Sequence, residues 1–143
     1  MDNDILNFLR KQRTMILSTD GIKIWSTKVY YSLYSGIIFF IEKTGLTLSN
    51  IEKNKYIAYE IDNNDLSIIV QGNGNVEILG LPGDHTPERD ILINKNPEDR
   101  RFVDHVYIAR LIPVQMNVTD LRNGLKKYQE IIKTDELVEQ VFL

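Results

Sequence analysis

The 143-residue chain is 43% hydrophobic and 26% charged, carries a formal net charge of −3 and contains no cysteine. That size suits one globular domain able to bury about 70% of its unfolded surface, and the missing thiols exclude disulfide frameworks, thiolate catalysis and cysteine zinc sites. The mild acidity argues against a nucleic-acid partner, and the opening MDNDILNFLRKQR has neither signal-peptide nor membrane-spanning character, so a soluble cytoplasmic protein without membrane contact is expected.

In chain order, Asp4 is a candidate cap for a short helix in which Ile5, Phe8 and Leu9 share an apolar face. Strand character follows in TMILST, up to the turn dipeptide Asp20-Gly21, and again in IKIWSTKVYYSL and GIIFFIE. Three strands without crossover helices predict an antiparallel meander. A helix is predicted from Leu46 to Asn54, with Ser49-Asn50-Ile51-Glu52 matching a capping box. Strand YIAYEI, the turn Asn63-Asn64-Asp65 and LSIIVQGNGNVEILG come next; Gly72 and Gly74 mark a bulge or a close backbone approach.

Thr86-Pro87 and Asn96-Pro97 each pair a cap candidate with proline at a first helical position, predicting two short helices in tandem. HVYIARLIPVQMNVT resumes as strand, with Pro113 at a bend or edge. Leu121, Leu125, Tyr128 and Ile132 then form a helical stripe, and Thr134-Asp135 starts a last short helix, so a helical extension is expected over about 120–143. The sum is a mainly β domain over 1–143 with added helices, arranged as a closed or partly closed antiparallel barrel.

Several side chains have chemical and structural readings side by side. Lys43 is a candidate phosphate cation or a solvated turn residue; Thr44, Thr47 and Ser49 are candidate phosphate ligands or caps; Trp25 is a ligand wall or barrel packing. Tyr30 and Tyr31 face opposite sides of their strand. The charged stretch KNPEDRR reads as a solvated helix face, and His85 as a surface loop residue. No residue reads as a nucleophile or general base.

The order of these segments carries a resemblance. RTMILST, the strand ending at Val29-Tyr30-Tyr31, GIIFFIEKTGLTLSNIEKNKYIAYEI, IIVQGNGNVEIL and RLIPVQMNVTDL together resemble the pyridoxamine 5′-phosphate oxidase-like FMN-binding split barrels, from about Ile5 to Leu121. The resemblance implies a six-stranded split barrel that forms a homodimer and binds FMN, or in some branches a deazaflavin or haem, with oxidoreductase activity on an unspecified small molecule. Position by position it assigns cofactor contacts to Trp25, Ser26, Thr27 and Lys28 in the second strand, and to Ile41, Glu42, Lys43, Thr44 and Thr47 after the third. The chain departs from the family where a basic residue at the helix start falls on Thr47 and a small hydroxyl residue falls on Gly45. Thr lacks the bidentate, charge-assisted grip of Arg on phosphate. The alternative expectation is therefore a non-enzymatic split-barrel dimer that binds another small ligand or a protein.

Overall fold

A computed structural model describes residues 1–138. Helix α1 (Asn3–Lys11) is capped by Asp2 rather than Asp4: its carboxylate accepts the amides of Asp4 and Ile5 at 2.8 and 3.2 Å. Ile5, Phe8 and Leu9 are buried, so the expected apolar face is the docking face. The strands are β1 (Thr14–Thr19), β2 (Trp25–Leu33), β3 (Ile37–Glu42), β4 (Tyr56–Asp62), β5 (Ile68–Gly80), β6 (Val106–Asp120) and β7 (Lys126–Ile131). Helix α2 (Leu46–Lys53) follows β3, and α3 (Thr86–Lys95) lies between β5 and β6, followed by a 3-10 segment over Pro97–His105. Both proline-marked starts thus begin helical segments, the second of them wound as 3-10 helix.

The sheet runs in the order β3-β2-β1-β4-β5-β6-β7, and pairing of β3 with β6 closes the first six strands into an antiparallel barrel. Strand β3 explains its own unbroken apolar run. Ile37, Phe39 and Ile41 point into the barrel, whereas Ile38 and Phe40 join Val106, Ile108 and Leu92 of α3 in a second cluster outside it. A strand covered on both faces has no reason to alternate. Strand β6 is long enough to serve two partners on one edge: Val106–Leu111 pairs with β3, and Gln115–Asp120 pairs with β7. The register with β5 skips Val114 beside Pro113, so the residue without an N–H sits at an irregularity, as its bend position predicts.

The two glycines of β5 are close-approach positions. A Cβ on Gly72 would stand 2.6 Å from the Tyr59 hydroxyl, and one on Gly74 would stand 2.5 Å from the Ile112 carbonyl oxygen. Tyr59 is the register partner of Gly72 and lies over its bare backbone. Burial raises the Tyr59 hydroxyl pKa, and its oxygen has no hydrogen-bond partner among the described residues.

Two local expectations are corrected. Residues 126–131 form β7, not a helix, because the C-terminal half of β6 offers an unpaired edge once β3 has turned away. Tyr128 and Ile132 pack on the core, and their separation of four satisfies both a helical and a strand period. Leu121 and Leu125, which only a helix would align with them, are 48% and 64% exposed. Thr134–Glu136 is a single 3-10 turn, and residues 139–143 of the expected extension lie outside the described residues. The second correction concerns the capping of α2: the helix starts at Leu46 as expected, but the capping-box match Ser49-Asn50-Ile51-Glu52 lies one turn inside it. Its N-cap is Gly45, no side chain caps it, and the Ser49 hydroxyl donates back to the Gly45 carbonyl at 3.0 Å.

Asn50, buried inside α2, holds the helix to the β1–β2 connection. Its side-chain oxygen accepts the amides of Ile22 and Lys23, and its nitrogen donates to Thr19 Oγ1 and the Lys23 carbonyl, at 2.7 to 3.3 Å. Gly21 belongs to this contact, since a Cβ there would stand 2.5 Å from the Asn50 carbonyl. Asn50→Ala strands buried donors and acceptors at about 1–3 kcal/mol each where water does not enter. The expected loss is about 3 kcal/mol in a urea melt, with Asn50→Asp losing no less at neutral pH because a buried carboxylate oxygen then faces the Lys23 carbonyl. Gly74→Ala is expected to lower stability by more than about 1 kcal/mol, whereas Gly83→Ala, with nothing within 4 Å of a new Cβ, changes it by less than about 1 kcal/mol in the same assay.

Candidate functional site

The barrel is split where β2 and β3 part. Their ladder holds only Tyr31–Phe39, Ser32–Ile38 and Leu33–Ile37, after which β2 stays on β1 while β3 stays on β6. A cleft of about 610 Å³ occupies the gap, within the range of small-molecule sites. Its first wall is β2, from Trp25 to Tyr30; its floor is Phe40 and Ile41; its far end is the start of α2, at Thr44 to Thr47. The remaining wall is the 3-10 segment, through Asp99, Phe102 and His105.

Of the residues assigned to the cofactor from the sequence, Trp25, Thr27, Lys28, Ile41, Glu42, Thr44 and Thr47 line this cleft together. Trp25 is 46% exposed, so it serves as a wall of the cleft rather than as barrel packing. Ser26 and Lys43 are directed elsewhere. The Ser26 hydroxyl lies 3.1 Å from that of Ser18 across the β1–β2 ladder, and Lys43 Nζ donates to the Asp104 carbonyl at 3.1 Å beside the Tyr107 ring. Among the described residues Lys28 is thus the only lysine or arginine lining the cleft, which also holds the acids Glu42 and Asp99.

The helix start is built to meet negative charge. Gly45 takes φ of 121°, a conformation that glycine adopts without strain, and leaves the first-turn amides of α2 without a side-chain cap. Such amides and the positive end of the helix dipole favour an anion. Glu42 lies beside them, its carboxylate oxygen 3.9 Å from where a Gly45 Cβ would stand. The cleft is therefore bounded at this end by the uncapped start of α2, while one carboxylate competes for the same field.

Asp99, Phe102 and His105 were not among the expected site residues, since KNPEDRR, which holds Asp99, reads as a solvated helix face and His105 as the start of a strand. Their spacing of three is the period of a 3-10 helix, which puts all three on one side. That side faces the cleft. Arg13 anchors the segment: its Nε donates to Asn96 Oδ1 at 3.0 Å and a second nitrogen pairs with Glu98, while Asn96 Nδ2 donates to the Tyr31 carbonyl at 3.2 Å. Asp99 Oδ2 is buried and has no hydrogen-bond partner among the described residues. Burial, helped by the charge of Glu98 and opposed by Arg13, pushes its carboxyl up to about 6.

No protein-family model and no curated protein sequence matches the chain. Solved structures do. A haem-binding protein from Mycobacterium smegmatis superposes with a TM-score of 0.75 at 11% identity over 94% of this chain, which spans only 60% of that protein. General Stress Protein 26 from Bacillus anthracis gives 0.69 at 16% identity, covering 91% of this chain and 97% of that one. A pyridoxamine 5′-phosphate oxidase-related, FMN-binding protein from Nostoc punctiforme gives 0.68 at 12% identity, covering 92% and 96%. At these identities the likeness is one of fold: the chain has the split barrel of the pyridoxamine 5′-phosphate oxidase-related proteins that its sequence resembles.

Proposed function

We propose that the chain binds FMN in the cleft between β2 and β3 and works as a homodimeric flavin-dependent oxidoreductase on a small molecule. The observation that carries this reading is that one cleft gathers seven residues assigned from separate stretches of sequence, at an uncapped helix start. In it, the amides of α2 with Thr44, Thr47 and Lys28 hold the phosphate, and Trp25, Thr27 and Ile41 contact the remainder of the cofactor. A bound flavin supplies the redox chemistry, and the protein supplies binding, orientation and exclusion of water. A protein of this fold described as FMN-binding, at 12% identity, supports the choice of cofactor without assigning a substrate.

A haem reading has its own observation, a histidine in the cleft wall. His105 is exposed there next to Phe102, and one structural neighbour is a haem-binding protein. Imidazole is an ordinary axial ligand of haem iron.

Titration with FMN, followed by quenching of flavin fluorescence, tests the first reading. Saturable binding that is weaker for riboflavin is expected, and loss of the Lys28 charge in Lys28→Ala is expected to weaken FMN about fivefold, or about 1 kcal/mol. Glu42→Gln removes a like charge beside the phosphate and is expected to tighten FMN by a similar factor. No binding of FMN, or equal affinity for riboflavin in all three proteins, overturns the phosphate assignment; a Soret band on adding haemin that His105→Ala removes favours haem. Sedimentation equilibrium is expected to return twice the 16.6 kDa chain mass, and a monomer at micromolar concentration overturns the dimer.

A further inference from the structure

The 3-10 wall of the cleft is the part of the site that the cofactor reading leaves without a task. Asp99 and His105 are two 3-10 turns apart, about 12 Å at about 2 Å per residue. His105 belongs to the end of the cleft near α2, because its carbonyl accepts the Lys43 amide at 3.0 Å. Asp99 belongs to the opposite end, beside Tyr30, where Arg13 stacks on that ring at 5.2 Å and pairs with Glu98. The cleft is thus two-ended, with exposed amides at one end and a carboxylate at the other.

A carboxylate in the first turn of a helix has an ordinary structural role, which is to accept the free amides there. Asp99 does not fill it. Its backbone N–H donates to the Asn96 carbonyl at 3.0 Å, its Oδ2 accepts nothing, and the stabilising ion pair of the segment is made by its neighbour Glu98. A buried carboxylate oxygen without a donor costs stability, and such a cost persists where function uses the group.

We propose that Asp99 is a specificity residue of the cleft and binds the nitrogen of an amine or amidine on the molecule that enters beside the cofactor. The proposal rests on the reading of this cleft as the ligand site. An N–H group completes the hydrogen-bonding of the carboxylate, and the aromatic rings of Tyr30 and Phe102 line the approach to it. A carboxylate-bearing ligand is repelled by Asp99 and Glu42 together.

The test uses the whole chain and four probes of one shape: benzylamine, benzamidine, benzyl alcohol and benzoate, titrated at pH 7.5 by backbone amide NMR. The amine and the amidine are expected to shift cleft residues and to bind at least tenfold more tightly than the alcohol, with benzoate weakest. Asp99→Asn is expected to bring amine and alcohol within about twofold of each other. In the parent, the amine preference is expected to fall from pH 7.5 to pH 5, as the Asp99 carboxyl, held at about 6, takes up its proton. The other titratable groups lining the cleft are Lys28, Tyr30, Glu42 and His105, and the charges of Glu98 and Arg13 act on Asp99 from beside it; His105→Gln keeps the fall if Asp99 is its source.

A stability readout separates this role from a structural one. Because folding raises the carboxyl from 3.8 to about 6, the folded chain holds the extra proton, and the stability this gives at low pH is lost as pH rises between those values. Asp99→Asn is expected to raise the melting midpoint at pH 7.5 and to leave it unchanged at pH 4. A parent that binds benzylamine no better than benzyl alcohol, an Asp99→Asn protein that keeps the preference, or one that melts lower at pH 7.5 overturns the proposal. Failure of FMN binding with the amine preference intact overturns the cofactor reading instead.

Discussion

The structure turns on a ladder of three residue pairs. Strands β2 and β3 share only Tyr31–Phe39, Ser32–Ile38 and Leu33–Ile37 before they diverge, and the cleft exists because they do. Divergence leaves the edges that face the gap without a strand partner, while each strand stays held through its opposite edge. Strand β2 keeps β1 along Thr14–Thr19, and β3 keeps β6 along Val106–Leu111. Closure through β3–β6 therefore permits an open seam between β2 and β3 in an otherwise continuous barrel.

Other features follow from holding that seam. The Asn50 network ties α2 to the β1–β2 connection, so the uncapped helix start stays at one end of the gap. Arg13 and Asn96 tie the 3-10 segment to β2, so its inward side stays on the other wall. Strand β3 between them is buried on both faces and has little freedom to move. The cleft is thus preformed by fixed elements, which lowers the cost of ordering a ligand-binding site.

Its electrostatics are less uniform than its geometry. One end offers amides and Lys28, but Glu42 stands beside them; the other offers an unpartnered carboxylate. An arginine clamp would have made the phosphate end dominate, and Thr47 supplies a hydroxyl only. Selectivity in such a site comes from opposed groups at separate ends as much as from the strength of any one contact.

Much of this was legible in the sequence. Alternation, turn dipeptides and proline-marked helix starts located the meander, α2, α3 and the long β5, and segment order indicated the split barrel. What stayed hidden depended on neighbours distant in sequence. The stripe ending in Tyr128 and Ile132 satisfies two periods, and only the free edge of β6 selected the strand. The capping role read into Ser49 also failed, because Ser49 lies inside the helix and bonds back to the Gly45 carbonyl. Asp99, Phe102 and His105 share a face only in a 3-10 winding, which no 3.6-residue pattern reveals. Local periodicity thus determined which residues form strands and helices, because burial on one face selects side chains at fixed spacing. Tertiary structure alone decided where the barrel opens and which charges face each other across it, because both depend on which strand edges remain to be paired.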